Sequence, residues 1–535
     1  MAGSMTHATS TDSPPTARLA RAASLMAAAT VASRVLGLVR EIVTAWLFGA
    51  TNAKAAYVIA YYVPFFVQRL LLGGTLSIVF IPTISRYLAQ RDEREARRVS
   101  GSLFSLVFGI GVLMVVAGQL LAPLIIPVAA PGFTAIPAQV DLAAGLTRII
   151  FVAMLFLALS VFATGFLQAH QQFTVPALAP LVFNVVIIAG TLILGPAYGI
   201  QGLAISWILG TAAQFLVQMP AARRLGLRFM RIDLRHPAVR DIGRLAVPAM
   251  LGLAVVEINA YVGRLFASLL PPTSGVNAVA VLDYAYEVIQ APVGIFAISV
   301  ATAIFPLLSR HAAAQATADL RATTSLGLRA TLFAILPVAA VAIVLREPLI
   351  RLLFERGQFS AEATQAVSSA VAAYAIGLPA IAGYYVITRA FYALHDMATP
   401  VRIGVVMIGL NAALDYLLML ILGATGIALA TAIVSTVNAG ALLWVLRGRL
   451  QNLEGRRLAR TAGRLTGATL LAAASMWGTG QFLVAASGLL DTAVWLAVSA
   501  AVGGAVYLAA CRLFRVEELG VVRDLLRRRP AARAR

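Results

Sequence analysis

The sequence predicts an all-α polytopic membrane protein of 14 transmembrane helices, built as two pseudo-symmetric six-helix lobes followed by two C-terminal helices. Three observations predict it. The 535-residue chain is 60% hydrophobic and only 12% charged, with a mean hydropathy of +0.87, more apolar surface than a soluble domain can hide. The chain also repeats itself at an offset of 224–225 residues. Phe80-Ile81-Pro82-Thr83-Ile84-Ser85-Arg86 returns as Ile304-Phe305-Pro306-Leu307-Leu308-Ser309-Arg310, Phe166-Leu167-Gln168-Ala169-His170 as Phe391-Tyr392-Ala393-Leu394-His395, and Gly202-Leu203-Ala204 as Gly426-Ile427-Ala428. Two alike halves in so apolar a chain mark a transporter with its pathway at the repeat interface. Finally, the arginines sit in alternate short gaps between apolar runs, the bias that sets membrane orientation.

A span needs about 20 apolar residues. The candidates are roughly 23–49, 55–85, 100–128, 141–169, 174–195, 199–221, 241–270, 276–309, 325–346, 364–394, 400–422, 425–446, 462–486 and 489–513. Gly73-Gly74 and Pro292 predict bends. The even gaps carry the charge: Arg86 to Arg98, then Arg223 to Arg240, then Arg447 to Arg460. The odd gaps are nearly free of Arg and Lys, apart from Lys54 and the 346–356 segment. Both termini are therefore expected in the cytoplasm, and an even number of spans per repeat gives the halves the same orientation. The expected organisation is a disordered Ser/Thr/Pro-rich cytoplasmic N-terminus (1–21), an N-lobe (22–222, spans 1–6) and a basic cytoplasmic loop (223–240). A C-lobe (241–447, spans 7–12), an appendage of spans 13 and 14 (448–515) and a basic cytoplasmic tail (516–535) follow.

The net charge of +20 would suit nucleic acid, but its placement between apolar runs excludes that partner. One cysteine, Cys511, excludes an internal disulfide, and the five histidines lack metal-ligand spacing. No signal peptide is expected, because the first apolar run carries Arg34, Arg40 and Glu41. No P-loop and no nucleophile–base set stands out, so neither an enzyme nor direct use of ATP is expected.

Charges inside spans are costly unless they face a wet cavity or a partner. In span 1, Ser33, Arg34, Gly37, Arg40, Glu41 and Thr44 share one helical face. One reading is a self-satisfied Arg–Glu cluster that fixes packing. The other is a cationic cavity wall, since guanidinium grips phosphate in a bidentate fashion. Span 2 adds Gln68 and Arg69, span 7 Glu257, Asn259 and Arg264, and span 8 Asp283, Glu287 and Gln290. Asp283 and Glu287 are expected in the cavity, either against substrate or with one of them paired to an arginine of span 1 or 7. Asn411 and Asp415 lie four apart in span 11, with Thr431 in span 12. Such a set can hold a hard cation, carry a proton or simply hydrogen-bond between helices.

Four segments carry a family resemblance. Ser33-Arg34-Val35-Leu36-Gly37-Leu38-Val39-Arg40-Glu41 resembles the first-span motif of the MurJ/MviN family, the lipid II flippases of the MOP exporter superfamily. Arg69-Leu70-Leu71-Leu72-Gly73-Gly74-Thr75-Leu76-Ser77, Leu353-Phe354-Glu355-Arg356-Gly357-Gln358-Phe359 and Arg389-Ala390-Phe391-Tyr392-Ala393-Leu394-His395-Asp396 resemble three further family signatures, in the same order and spacing. The similarity covers about residues 22–515.

The resemblance implies a flippase in the bacterial cytoplasmic (inner) membrane. It would move a polyprenyl-pyrophosphate-linked peptidoglycan precursor to the outer leaflet by alternating access of the lobes, with spans 13 and 14 forming a lipid-tail groove. Arg34 and Arg40 fall on family arginines needed for transport, and Asn411, Asp415 and Thr431 on a sodium site found in some members. No cofactor or resident metal is implied; the expected drive is membrane potential, with Na+ or proton coupling. The chain departs from the family pattern at Gln68 and Glu287, where arginines are expected, at Ala55, where an acid is expected, and at Gly263, where a sodium-ligating aspartate is expected. Two cavity cations are thus missing from the pattern. With the site empty, Asp283 and Glu287 are expected to pair with Arg34 and Arg40. The readings left open are export of another polyprenyl-linked glycan or an amphiphilic cation, and a non-transporting scaffold for cell-wall synthesis enzymes.

Overall fold

The computed structural model describes residues 15–72, 80–482 and 488–520. Sixteen α-helices are present among them: α1 (Pro15–Phe48), α2 (Asn52–Leu72), α3 (Ile81–Ala89), α4 (Glu93–Ala129), α5 (Pro137–Ala169), α6 (Thr174–Tyr198), α7 (Ile200–Arg224), α8 (Pro237–Ser268), α9 (Ala278–Pro292), α10 (Ile298–Ala313), α11 (Thr317–Val344), α12 (Arg346–Phe354), α13 (Ala361–Ala393), α14 (Ala398–Arg449), α15 (Gly455–Phe482) and α16 (Leu489–Leu513). Extended structure among the described residues is a single bridge, Thr273 to Val276. Nine helical stretches among the described residues are long and apolar enough to cross a membrane, so the chain is a multi-pass, all-helical membrane protein.

Local chemistry sets the helix ends. Asp92, Asn277 and Ser360 cap α4, α9 and α13 by accepting from Glu95 N (3.1 Å), Val279 N (3.0 Å) and Ala363 N (3.2 Å). Pro292 closes α9, and a π-helical turn, Val293–Ala297, joins it to α10, beside the proline at which the sequence predicts a bend. Gly423 (φ 57°, ψ −135°) breaks α14 into two limbs, as expected of separate spans 11 and 12. One expectation fails at the start: α1 begins at Pro15, so residues 15–21 are helical rather than disordered. Proline suits a first helical turn, where its missing N–H is needed by no partner. Residues 1–14 and the 521–535 tail lie outside the described residues.

The repeat is written in the backbone. Gly199 (φ 56°) and Gly423 (φ 57°) stand 224 residues apart, as do Gln171 (φ 60°) and His395 (φ 58°), and Arg91 (φ 58°) and Gln315 (φ 53°). Helix limits recur likewise: α4 starts at Glu93 and α11 at Thr317, α5 ends at Ala169 and α13 at Ala393.

Core packing is shared at one end of the molecule and divided at the other. At the α1–α2 turn, one apolar cluster unites residues of both halves, among them Ala45, Tyr57, Ile150, Tyr284, Phe354 and Phe359. At the opposite end the halves keep separate clusters. Phe80, Phe104, Phe162 and Phe166 centre the first, and Leu308, Phe391, Leu442 and Leu446 the second. Side chains joined at one end and parted at the other leave a cleft between the halves. The first turn of α8 (Ala238, Val239 and Ile242) packs into the first-half cluster. A fourth cluster holds α15 and α16 against α11.

Candidate functional site

The cleft holds two confluent chambers of about 510 and 450 Å³. Ser33, Arg34, Arg40, Glu41, Asn184, Glu287 and Gln290 line both. The first reaches the α5–α6 turn at Gln168 and Phe173. The second ends on Lys54, Tyr57 and Asp283, toward the α1–α2 turn. Elements of both readings that the spacing left open are present: the polar face of α1 lines the cavity, and Arg40 pairs with Glu41 on it.

Arg34 is exposed in the cavity. Its guanidinium carbon lies 3.4 Å from where a Cβ on Gly294 would sit, so the π-helical turn with its bare glycine makes room for it. Arg40 donates from Nη2 and Nε to Glu41 Oε1 (2.9 and 3.1 Å) and from Nη1 to Asn184 Oδ1 (3.5 Å), and lies 5.4 Å from the Trp207 ring centre. Asn184 in turn donates to Ser33 Oγ (3.4 Å) and Pro180 O (2.9 Å), which fixes its amide. Arg40 is thus held in place while Arg34 faces open space.

Lys54 is the residue the sequence reading missed. Expected in an extramembrane gap, it sits inside α2, is 2% exposed, and reaches Glu41 Oε2 (3.3 Å) and Asp283 Oδ2 (3.2 Å). Its ammonium also lies 4.6 Å from the Tyr284 ring centre. Asp283 accepts from Tyr61 Oη (3.4 Å) and lies 3.9 Å from Arg264 Nη2. Arg264 donates to Tyr62 Oη and stacks on its ring at 3.5 Å. Asp283 does meet a span-7 arginine, Arg264, as one reading expected, but the pairing of Asp283 and Glu287 with Arg34 and Arg40 does not occur among the described residues: Glu41 takes Arg40, and Asp283 also takes Lys54. Lys54 restores one of the cavity cations that the family pattern led us to count as missing. The signal for it was its status as the sole lysine in the chain.

Gln68 and Arg264 are buried and line neither chamber; Arg264 forms the wall behind Tyr62. The side chains of Arg69, Glu257 and Asn259 lie outside the described residues. Asn184, Trp207, Tyr61 and Tyr62 join the site without any charge pattern to announce them.

A second polar group lies between α8 and α14. Asn411 Nδ2 donates to Asp415 Oδ2 (2.7 Å), while Asn411 Oδ1 and Asp415 Oδ1 are buried without a hydrogen-bond partner among the described residues. Thr431 donates to Ile427 O (3.2 Å). A Cβ on Gly263 would stand 3.7 Å from Asp415 Oδ2. Buried acceptor oxygens left unpaired are costly, and a hard cation is the partner they suit. The Asn411–Asp415 pair fits such an ion, with one carboxylate fewer than a span-7 aspartate would supply.

A protein-family model described as "Lipid II flippase MurJ" matches residues 44–496. The chain belongs to the MurJ family. "Lipid II flippase MurJ" of Burkholderia cenocepacia is 29% identical over 429 residues, 78% of this chain and 82% of that relative. "Probable lipid II flippase MurJ" of Rhizobium tropici is 28% identical over 525 residues, 94% of this chain and 96% of that relative. Among solved structures, "Lipid II flippase MurJ, inward closed conformation" superposes with a TM-score of 0.77 at 25% identity, covering 94% of this chain and 99% of that one. An inward-facing multidrug resistance MATE transporter of the MOP superfamily, at 18% identity and a TM-score of 0.66, shares the fold and covers 79% of this chain and 96% of its own.

Proposed function

We propose that this MurJ-family chain is a lipid II flippase that carries the lipid-linked peptidoglycan precursor across the membrane without covalent chemistry. One observation carries the reading at atomic level: Arg34 and Arg40 stand on one face of α1 in a cavity between the two halves. The physical task is to take a pyrophosphate and its sugars through about 30 Å of hydrocarbon. Cavity guanidiniums replace lost water with charge-assisted hydrogen bonds while the polyprenyl tail stays in lipid. Arg34, with its open surroundings, meets the anion first; Arg40, ordered by Glu41 and Asn184, receives it next. Gln168, Asn184 and Gln290 offer amides to the sugars.

In this reading α14 counts as two spans, α2 with α3 as one and α9 with α10 as one, giving 14 crossings in two six-helix lobes with α15 and α16 appended as a lipid-tail groove. Arginine placement puts both ends of the chain in the cytoplasm, so the cleft opens inward and the α1–α2 turn closes the outer side of the inner membrane. An inside-negative potential favours outward movement of each anionic charge by about 2.3 kcal/mol per 100 mV. Na+ at Asn411 and Asp415 would add a coupling ion by neutralising buried oxygens between α8 and α14.

The test is flipping by purified protein in liposomes. Arg34→Ala and Arg40→Ala should each slow it by roughly 10- to 100-fold, the worth of one charged hydrogen-bond set of about 1.5–3 kcal/mol. Wild-type rates in both variants overturn the assignment.

A further inference from the structure

We propose that Lys54 is the latch of the cavity's closed end, a positioning residue whose ammonium ties one half of the protein to the other. From the proposed function the inference takes only that the two ends of the cavity open in turn. Lys54 on α2 and Glu41 on α1 belong to the first half, and Asp283 on α9 belongs to the second. The 3.2 Å contact to Asp283 therefore crosses between halves, whereas the 3.3 Å contact to Glu41 does not. All three groups are at most 7% exposed.

Among the described residues Lys54–Asp283 is the ion pair across this end; Tyr61 Oη also donates across it to Asp283 Oδ1 (3.4 Å), Arg264 to Tyr62 Oη and Asn277 Nδ2 to Asn52 Oδ1 (2.9 Å), and three further ties use the backbone. Asn277 N donates to Ala50 O (2.8 Å), Tyr284 Oη to Gly49 O (3.1 Å), and Gln358 N to Trp46 O (2.9 Å). Such bonds set the fit of the closed end but do not answer to charge. The Lys54–Asp283 pair does. A buried pair stripped of one partner is strongly destabilised, so the contact is either made or replaced, with little between. Glu41 links it to the cavity, because the same carboxylate holds Arg40 on Oε1 and Lys54 on Oε2. An anion that takes Arg40 from Glu41 also presents Lys54 with a stronger counter-charge on the cavity side. Drawing Lys54 toward it releases Asp283, and with it the charged tie between the halves.

The experiment reads opening directly. Cys511 is replaced by serine and Ala50, which is 2% exposed at the closed end, by cysteine. Labelling by a water-soluble maleimide is then timed in nanodiscs. Lys54→Met should raise the ligand-free rate roughly tenfold or more, and Lys54→Arg, which keeps the charge, should stay near the parent. Equal rates for Lys54→Met and the parent, or equal opening in Lys54→Met and Lys54→Arg, overturn the latch. Should Lys54→Met fail to fold, Asp283→Asn removes the crossing contact while leaving Lys54 with Glu41. It must open the end as well, and a closed Asp283→Asn rejects the proposal. Undecaprenyl pyrophosphate added to the parent separates the two claims. If it leaves the parent closed while Lys54→Met opens unaided, the latch stands and the anionic-substrate reading falls.

Discussion

At the scale of single residues, the site works by sharing. Glu41 divides its two oxygens between Arg40 and Lys54, and Asp283 divides its own between Lys54 and a Tyr61–Arg264 pair. No single guanidinium in the cavity is neutralised by a carboxylate of its own, so an incoming anion competes for partners already stretched between two cations. The opposite economy holds at Asn411 and Asp415, where acceptor oxygens outnumber donors. That imbalance makes a direct prediction. Gly263→Asp fits, since a Cβ there would meet Ile427 Cγ2 at 3.4 Å and Asp415 Oδ2 at 3.7 Å, ordinary contact distances. A second carboxylate beside the first should strengthen sodium binding by roughly tenfold or more, because ligand charge tunes affinity for hard cations. The thermal midpoint in sodium chloride against choline chloride measures it; a variant with no added sodium dependence would remove the site from the mechanism.

At the scale of elements, two glycines do in the backbone what no side-chain residue does cheaply. Gly199 and Gly423 reverse the chain between neighbouring helices with φ near +56° and ψ near −140°, a region that costs other residues on the order of 1–3 kcal/mol. Gly423→Ala should therefore lower the unfolding midpoint of the detergent-purified protein, whereas Gly440→Ala, in the helical part of α14 with open space around it, should leave it unchanged or raise it slightly. The helices were legible from the sequence, although these two glycines were not singled out: apolar runs and the repeat placed the helices, because hydropathy is a local property. The start of α1 was not legible, since a Ser/Thr/Pro-rich composition describes a solvated helix end and a loop alike. Nor was the depth of Lys54, which depends on where two carboxylates from other helices arrive. Spacing could put Arg34 and Arg40 on one face of α1, but choosing Glu41 over Asp283 as the partner of Arg40 required the fold.

At the scale of the whole molecule, α15 and α16 are moored to the second half by charge as well as by apolar packing. Buried Arg329 on α11 donates to Glu518 and Glu517 beyond the end of α16, and Glu517 also accepts from Arg457 at the start of α15. The Arg457 hydrogen bond, then the charge of Arg457 and after it that of Arg329, hold the Glu517 carboxyl below its ordinary value near 4.5. A carboxylate depressed on folding contributes stability above its unfolded value and loses it as pH falls through the folded one. Glu517 is 57% exposed, so the contribution is about 0.2–1 kcal/mol. Glu517→Gln should accordingly melt slightly below the parent at pH 7, and the difference should shrink and vanish as the pH falls through the depressed folded value, which parallel thermal melts down the acid range would check.

The rarity of lysine here has a practical corollary. With every other basic side chain an arginine or histidine, an amine-reactive ester has one internal target in the whole polypeptide, and that target is 2% exposed in the closed arrangement. Mass spectrometry of acylated protein would then count exposure events at a native atom, so the chain carries an intrinsic chemical clock of its own cycle and needs no engineered tag.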